Sequence, residues 1–346
     1  MGGAGAGRRA SRPTVKVLVT GASGLLGAGV ARALAARGDQ VTVLQRRPAG
    51  LGLPEVLADV ADQAAIRDAV TGHETVVHLA AKVNVVGSWQ EYRRANIDGT
   101  RNVVEACRNA GVTRLVHVSS PSVAHAGRSL VGVGAGPADP LSTRGRYARS
   151  KAVAEQVALA ADRGSLAVVA VRPHLVWGPG DTQLIGRIVA RARTGRLPVV
   201  GSGAALVDST LVDNAVDALM AAVDRCPQVR GEALVVTNGE PRPIGEILVA
   251  ICAAAGVRPP RHRVPRRLAV GAGAVLQAVW PPRAGEPPIT RFVAEQMSTA
   301  HWFDQRRTRE ALNWGPRVSL DEGFAALARW YASGACDMTA EPHDRA

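Results

Sequence analysis

The chain has 346 residues and a formal net charge of +13, from 42 Lys+Arg against 29 Asp+Glu. A hydrophobic content of 47% with 21% charged residues excludes a disordered chain, a collagen-like repeat and a small disulfide scaffold. No uninterrupted apolar run approaches the roughly 18 residues of a membrane span. Only three residues are lysine (Lys16, Lys82, Lys151) and three are tyrosine (Tyr92, Tyr147, Tyr331), so arginine is the default cation. The arginines are scattered and aromatic residues are few, which argues against a nucleic-acid partner. Cys107, Cys226, Cys252 and Cys336 lie far apart. That spacing predicts no metal site, no disulfide framework and a reducing, cytoplasmic setting.

Residues 1–13 are Gly/Ala/Arg-rich without an apolar signal core and read as a disordered tail. From there apolar β-branched runs alternate with helical segments. Strands are expected at Val15–Thr20, Val41–Leu44, Thr75–Leu79, Leu115–Ser119 and Leu166–Val171. Helices are expected at Leu25–Arg37, Asp62–Val70, Asn96–Ala110 and Tyr147–Ala161. This order predicts an α/β fold, a doubly wound parallel Rossmann sheet with helices on both faces. After about Arg172 the pattern becomes irregular. Helices are expected at Thr182–Arg193 and Asn214–Val223, with loops at Pro227–Arg242, Arg258–Pro265 and Pro281–Pro288. The expected division is a nucleotide-binding domain over 14–177 and a smaller, irregular substrate lobe over 178–333, with some segments interleaved. Residues 334–346 read as a second tail.

The first strand runs into Thr20-Gly21-Ala22-Ser23-Gly24-Leu25-Leu26-Gly27. Gly21 permits a tight turn, Gly24 lets backbone N–H groups approach a pyrophosphate, and Gly27 allows close helix–strand packing. The helix N-terminus adds unpaired donors and the positive end of a dipole. The spacing is GxxGxxG rather than GxGxxG, so the strand–turn–helix context carries the inference. The second strand ends Leu44-Gln45-Arg46-Arg47, with no acid for a ribose hydroxyl. Arg46 could pair with the extra phosphate of NADP, which favours NADP over NAD. Asp59, followed by Val60, could reach the adenine amino group or could cap a helix.

Tyr147 and Lys151 stand four residues apart on one helical face. An ammonium beside a phenol favours the phenolate, so the Tyr147 pKa is expected to fall. Such a tyrosine can exchange a proton with an alcohol or carbonyl while a hydride moves to or from a nicotinamide. Ser119 and Ser120 end the preceding strand, where a serine hydroxyl could hold the substrate oxygen.

These residues resemble the extended short-chain dehydrogenase/reductase family over essentially the whole chain from Val15 to Tyr331. The resemblance rests on the glycine turn, His78-Leu79-Ala80-Ala81, Asn96 to Asn102, Val118-Ser119-Ser120, Tyr147 to Lys151, and Arg172 to Gly180. Gly195 to Gly203, Val207 to Asn214 and Trp314-Gly315-Pro316 are most similar to the 3β-hydroxysteroid dehydrogenase/isomerase-like branch. That branch includes sterol dehydrogenases and 2-alkyl-3-oxoalkanoate reductases. The resemblance implies Tyr147 as general acid/base, with Lys151 binding the ribose and lowering the phenol's pKa. It implies Ser120 as the substrate-orienting serine and Asn96 as the residue that holds the site's geometry. Ser23, Leu25 and Leu26 would join the three glycines at the cofactor, Leu79, Ala80 and Ala81 would line it, and Pro173 to Val176 would pack near the nicotinamide.

The implied activity is hydride transfer between NAD(P) and a hydroxyl/keto group on a small apolar substrate, steroid-like or β-keto acyl-derived, without a metal. The alternatives are a nucleotide-sugar epimerase, dehydratase or reductase on the same fold, and a non-catalytic NADP-sensing protein. The second lacks support because Ser120, Tyr147 and Lys151 are all present. A homodimer is compatible with the sequence. Five arginines between Arg258 and Arg267 precede the apolar Leu268–Trp280 segment. That segment reads either as a helix packed over the substrate pocket or as a weak peripheral contact with an anionic membrane.

Overall fold

The computed structural model describes residues 14–83, 87–280 and 287–335. The tails at 1–13 and 336–346, Cys336 and most of the Pro281–Pro288 loop lie outside them. At the centre is a seven-stranded sheet in which every neighbouring pair is parallel. In spatial order the strands are Ala233–Val236, Ala167–Pro173, Arg114–Val118, Thr75–His78, Lys16–Thr20, Gln40–Gln45 and Glu55–Leu57. Successive side chains of a strand serve opposite faces. Val17 and Val19 therefore pack with Val30, Leu34 and Leu219 on one side. Leu18 packs with Ile66, Val103 and Val168 on the other. Both faces are covered, which explains the nearly unbroken apolar runs.

The second lobe grows from excursions at the carboxyl edge of this sheet. Its largest element is a four-stranded sheet in the order Arg242–Pro243, Leu206–Val207, His301–Phe303 and Leu130–Val133. Leu130–Val133, which lies before residue 177, thus belongs with the lobe's strands. Conversely Ala233–Val236 completes the large sheet, and the helix Val212–Arg225 packs against the first helix, Leu25–Ala36. A Cβ on Gly29 would stand 2.7 Å from Val216 Cγ2. Trp177 stacks on Phe324 at 4.6 Å and anchors the lobe's own apolar cluster.

Two helices depart from the expected bounds for visible reasons. The Thr182–Arg193 segment becomes helical only at Ile185–Arg193, because Asp181 accepts from the N–H groups of Gln183, Leu184 and Ile185 at 2.8, 3.0 and 3.1 Å. The Asn96–Ala110 segment is preceded by a short α-helix, Trp89–Tyr92, and a π-helical turn, Arg93–Asp98, before the α-helix Gly99–Asn109 begins. The π turn places Asn96 where the next subsection finds it.

The apolar segment after the arginines forms the helix Arg266–Val279. One side is packed: a Cβ on Gly273 would meet the Thr290 carbonyl carbon at 2.6 Å. The other side leaves Leu268, Val275 and Val279 exposed. Among the described residues no helix is long and apolar enough to cross a membrane, and no cluster of His, Cys, Asp and Glu could hold a metal ion. Cys107, Cys226 and Cys252 are buried free thiols.

Candidate active site

The strand order reverses beside Lys16–Thr20, which opens a crevice at the carboxyl ends of the strands. The glycine turn lies there. Gly21 has φ +80°, and a Cβ on it would lie 2.7 Å from the Ala80 nitrogen. A Cβ on Gly27 would lie 2.3 Å from the Gly21 carbonyl oxygen. The turn is therefore folded tightly onto both the helix and the Leu79–Ala81 segment. Gly24 is the N-cap of the helix and supplies no capping side chain, and the first turn carries no acid. The donors at this terminus, around Ser23, Leu25 and Leu26, are thus open to an anion. Thr20 Oγ1 secures the opposite wall by accepting from the Ala80 N–H at 3.2 Å and meeting His78 Nδ1 at 2.8 Å.

Arg46 and Arg47 are exposed just past the second strand. The sequence reading overlooked Glu55, which the third strand brings to Gln45. Its carboxylate accepts from the Ala49 N–H at 2.8 Å and from the Gln45 amide. The two residues are ten positions apart, and strand pairing alone joins them. Asp59 accepts from the Ala61 N–H at 3.0 Å and lies 3.5 Å from Arg94. Val60 is buried, and its carbonyl accepts from Asn102 at 3.0 Å.

The catalytic candidates meet at the start of the helix Arg146–Leu159. Gly145, at φ +93°, turns the chain into it. Tyr147 faces Ser120, whose hydroxyl also accepts from the Ser122 hydroxyl at 3.0 Å. Lys151 is buried, and its Nζ donates to the Val118 carbonyl at 2.7 Å. The electrostatics correct one expectation. Burial pushes the Tyr147 phenol up, and the opposing influence comes from the Ser120 hydrogen bond rather than from Lys151. The physical reason is that the ammonium is drawn down to the strand end. Burial in turn lowers the Lys151 pKa to about 8, against an attraction to Glu155 that raises it.

Asn96 is buried and ties three elements together. Its Oδ1 accepts from the Lys82 N–H at 2.7 Å, and its Nδ2 donates to the Lys82 carbonyl at 3.2 Å and to Ser150 Oγ at 2.8 Å. Its own carbonyl accepts from Thr100, which meets His78 Nε2 at 3.1 Å. Burial drives His78 down to about 3, so the ring is neutral.

Pro173 ends its strand at the same edge, and Val176 begins a short strand that pairs with Thr210–Leu211. Between them Leu175 takes φ +43°, a conformation rare for a side chain of its size. Thr210 holds this loop by donating to the His174 carbonyl at 2.7 Å. Two further supports escaped the sequence reading. Arg172 and Glu155 form a fully buried pair, with Nε donating to Oε2 at 2.8 Å. Glu155 stands one turn beyond Lys151, a spacing the sequence displayed without showing the partner strand.

Tyr147 and Ala148 line a cavity of about 130 Å³. Its other walls include Gln277, Trp280 and Phe292 with Arg144, Arg291 and Glu295. Leu206, Val207, Leu211 and Val212 are not among its walls. Leu211 and Val207 instead belong to the core of the second lobe.

The family described as NAD dependent epimerase/dehydratase matches residues 17–236. A 2-alkyl-3-oxoalkanoate reductase of Stenotrophomonas maltophilia is 41% identical over 325 residues, covering 90% of this chain and 98% of that one. A decarboxylating sterol-4-alpha-carboxylate 3-dehydrogenase of Homo sapiens is 30% identical over 322 residues, covering 88% and 85%. The solved structure of MoeE5 in complex with UDP-glucose and NAD aligns with a TM-score of 0.72 at 30% identity, covering 92% and 99%. The chain belongs to the NAD-dependent epimerase/dehydratase family of extended short-chain dehydrogenases/reductases, and within it is an oxidoreductase of the hydroxyl/keto couple.

Proposed function

We propose that the protein reduces the keto group of an apolar β-keto acid derivative, with Tyr147 as the proton donor. Tyr147, which interacts with Ser120 and also lines a cavity bearing Trp280 and Phe292, carries this reading. The phenol, held protonated by burial, suits donation to a carbonyl oxygen that Ser120 orients. Lys151, with two N–H groups beyond the one given to Val118, would hold ribose hydroxyls. Gly21, Ser23, Gly24, Leu25, Leu26 and Gly27 would hold the pyrophosphate, with Asp59 and Val60 at the adenine. Leu79, Ala80 and Ala81 would line the nucleotide, and Pro173 and Val176 would pack on its nicotinamide end. The nucleotide supplies the hydride. Asn96 fixes the catalytic helix relative to the Lys82 backbone.

The names of two relatives support the substrate class. A 2-alkyl-3-oxoalkanoate and a sterol-4-carboxylate with oxygen at carbon 3 both place the reacting carbon next to the carbon that bears a carboxylate. Exposed Arg46, which no acid pairs among the described residues, supports NADP over NAD. Glu55 does not oppose this, because its carboxylate is already engaged by Gln45 and Ala49.

The test is turnover of a 2-alkyl-3-hydroxyalkanoate with NADP+ or NAD+, followed by nicotinamide absorbance. Tyr147→Phe should lower kcat by at least about 100-fold, the lower range for a lost general acid/base, with cofactor affinity retained. Turnover of UDP-glucose in place of the acyl substrate, or an unchanged rate in the Tyr147→Phe variant, sinks the proposal.

A further inference from the structure

The cavity beside Tyr147 carries more positive charge than the reduction of a neutral ketone requires. Arg144 reaches it from the loop before the catalytic helix, Arg146 from the first residue of that helix, and Arg291 from the helix Arg291–Gln296. Glu295 is the one acid among the described lining residues. Its Oε1 accepts from Arg144 Nη1 at 2.9 Å and from Arg291 Nε at 3.0 Å. The Glu295 side chain is 4% exposed, whereas those of Arg144 and Arg291 are 43% and 49% exposed. A buried carboxylate thus tethers two guanidiniums whose remaining surface faces outward. Arg146 is held separately, by donation to the Gly87 carbonyl at 2.8 Å.

Two like charges sharing one oxygen repel each other, and one carboxylate leaves a local surplus of one positive charge. A second anion removes that surplus. Each guanidinium has five N–H donors and no acceptor, in a planar fork that matches a carboxylate. The placement of Arg144 is also built. Gly127, at φ +79°, lies beneath it, and a Cβ there would come within 2.7 Å of Arg144 Nε. The neighbouring walls, Trp280, Phe292, Pro287 and Ala148, suit hydrocarbon rather than the hydroxyls of a sugar.

We propose that Arg144 and Arg291, tethered by Glu295, bind the free carboxylate of a β-keto or β-hydroxy acid whose carbon-3 oxygen meets Tyr147. In such an acid the carboxyl carbon and the reacting carbon are separated by a single carbon. Arg144, Arg291 and Tyr147 line the same cavity, so one small acid could meet all three. The enzyme therefore selects the acid over its ester. This inference rests on the reading of Tyr147 as the group that meets the keto oxygen.

The experiment has two arms. In the first, a 2-alkyl-3-hydroxyalkanoate and its methyl ester are oxidised by the wild type and by the Arg144→Gln/Arg291→Gln double variant. Charge-assisted hydrogen bonds predict a wild-type kcat/KM preference for the acid of roughly 10- to 100-fold. The double variant should bring the acid-to-ester ratio toward one, chiefly through KM for the acid. Arg144→Lys, which keeps the charge and loses the fork, should fall between.

In the second arm, calorimetry on the cofactor-loaded protein compares decanoate with decanol. Tighter binding of decanoate, lost in the double variant, supports the clamp without any turnover. Equal acid and ester kinetics, equal binding of decanoate and decanol, or equal loss of both in the double variant overturns it. Binding of UDP-glucose that depends on these arginines also overturns it. Failure of both acid and ester to react, with decanoate binding intact, instead refutes the reductase reading and leaves the carboxylate site standing.

Discussion

Asn96 Nδ2 donates to Ser150 Oγ at 2.8 Å, and Ser150 Oγ in turn donates to the Tyr147 carbonyl at 2.8 Å. The amide of one helix thereby fixes the turn of another helix that carries the Tyr147 phenol. Ser150 is buried, so no solvent replaces either bond. Ser150→Ala should cost about 1–3 kcal/mol through the unpaired Asn96 donor, measured by urea unfolding. Asn96→Ala should lower kcat at least about tenfold while cofactor affinity changes little, because it frees the helix carrying Tyr147 rather than the nucleotide turn. An unaltered kcat in Asn96→Ala would remove the positioning role assigned to it.

The buried Arg172–Glu155 pair makes a second prediction. Removing one partner of such a pair costs about 3–5 kcal/mol, so Glu155→Gln should lower the denaturation midpoint strongly. Glu155 also supports the charge on Lys151. In the reduction direction, kcat/KM should fall as pH rises through about 8, where Lys151 loses its proton. In Glu155→Gln this alkaline limb should move to lower pH. The same shift has a stability consequence. Between about 8 and the ordinary lysine value of 10.5 the unfolded chain binds the Lys151 proton more than the folded one. The Lys151 contribution to stability therefore rises with pH across that window. A pH profile of kcat/KM without a limb near 8 would contradict the assignment.

Gly27→Ala places a methyl group 2.3 Å from the Gly21 carbonyl oxygen. The helix must shift away from the turn, at a cost of about 1–3 kcal/mol for overpacking. Cofactor titration should show a larger loss of affinity than the stability loss alone explains, because the N–H groups at the helix terminus move with it. Affinity equal to that of the wild type would show that the turn does not seat the pyrophosphate.

Arg46 tests the choice between the two nucleotides. Arg46→Ala should raise KM for NADPH by roughly 10- to 100-fold, the value of a charge-assisted contact, and leave KM for NADH nearly constant. Equal effects on both would show that Arg46 has no contact with a 2′-phosphate.

The parallel sheet was legible in the sequence because each β-branched run buries both faces, and its spacing records that locally. The glycine turn was legible for the same kind of reason. Gly21 and Gly27 lie six residues apart and meet within one strand–turn–helix unit. Tyr147 and Lys151 share one helix, so their proximity is also a local property. The polarity of their interaction was not. Lys151 is drawn to the Val118 carbonyl, 33 positions back in the chain, and burial then raises the phenol's pKa instead of lowering it.

The sequence by itself determined the composition that excludes other classes, the Rossmann core, and the shared helical face of Tyr147 and Lys151. Those features depend on residues close in the chain, whose periodicity and spacing imply their geometry. Only the tertiary structure decided which charges line the cavity beside Tyr147. Arg144 and Glu295 are separated by 151 positions, and a scattered arginine background of +13 gives no sign of that pairing. Their meeting depends on how the helix Arg291–Gln296 is placed beside the start of the helix Arg146–Leu159, which is a long-range outcome of burial.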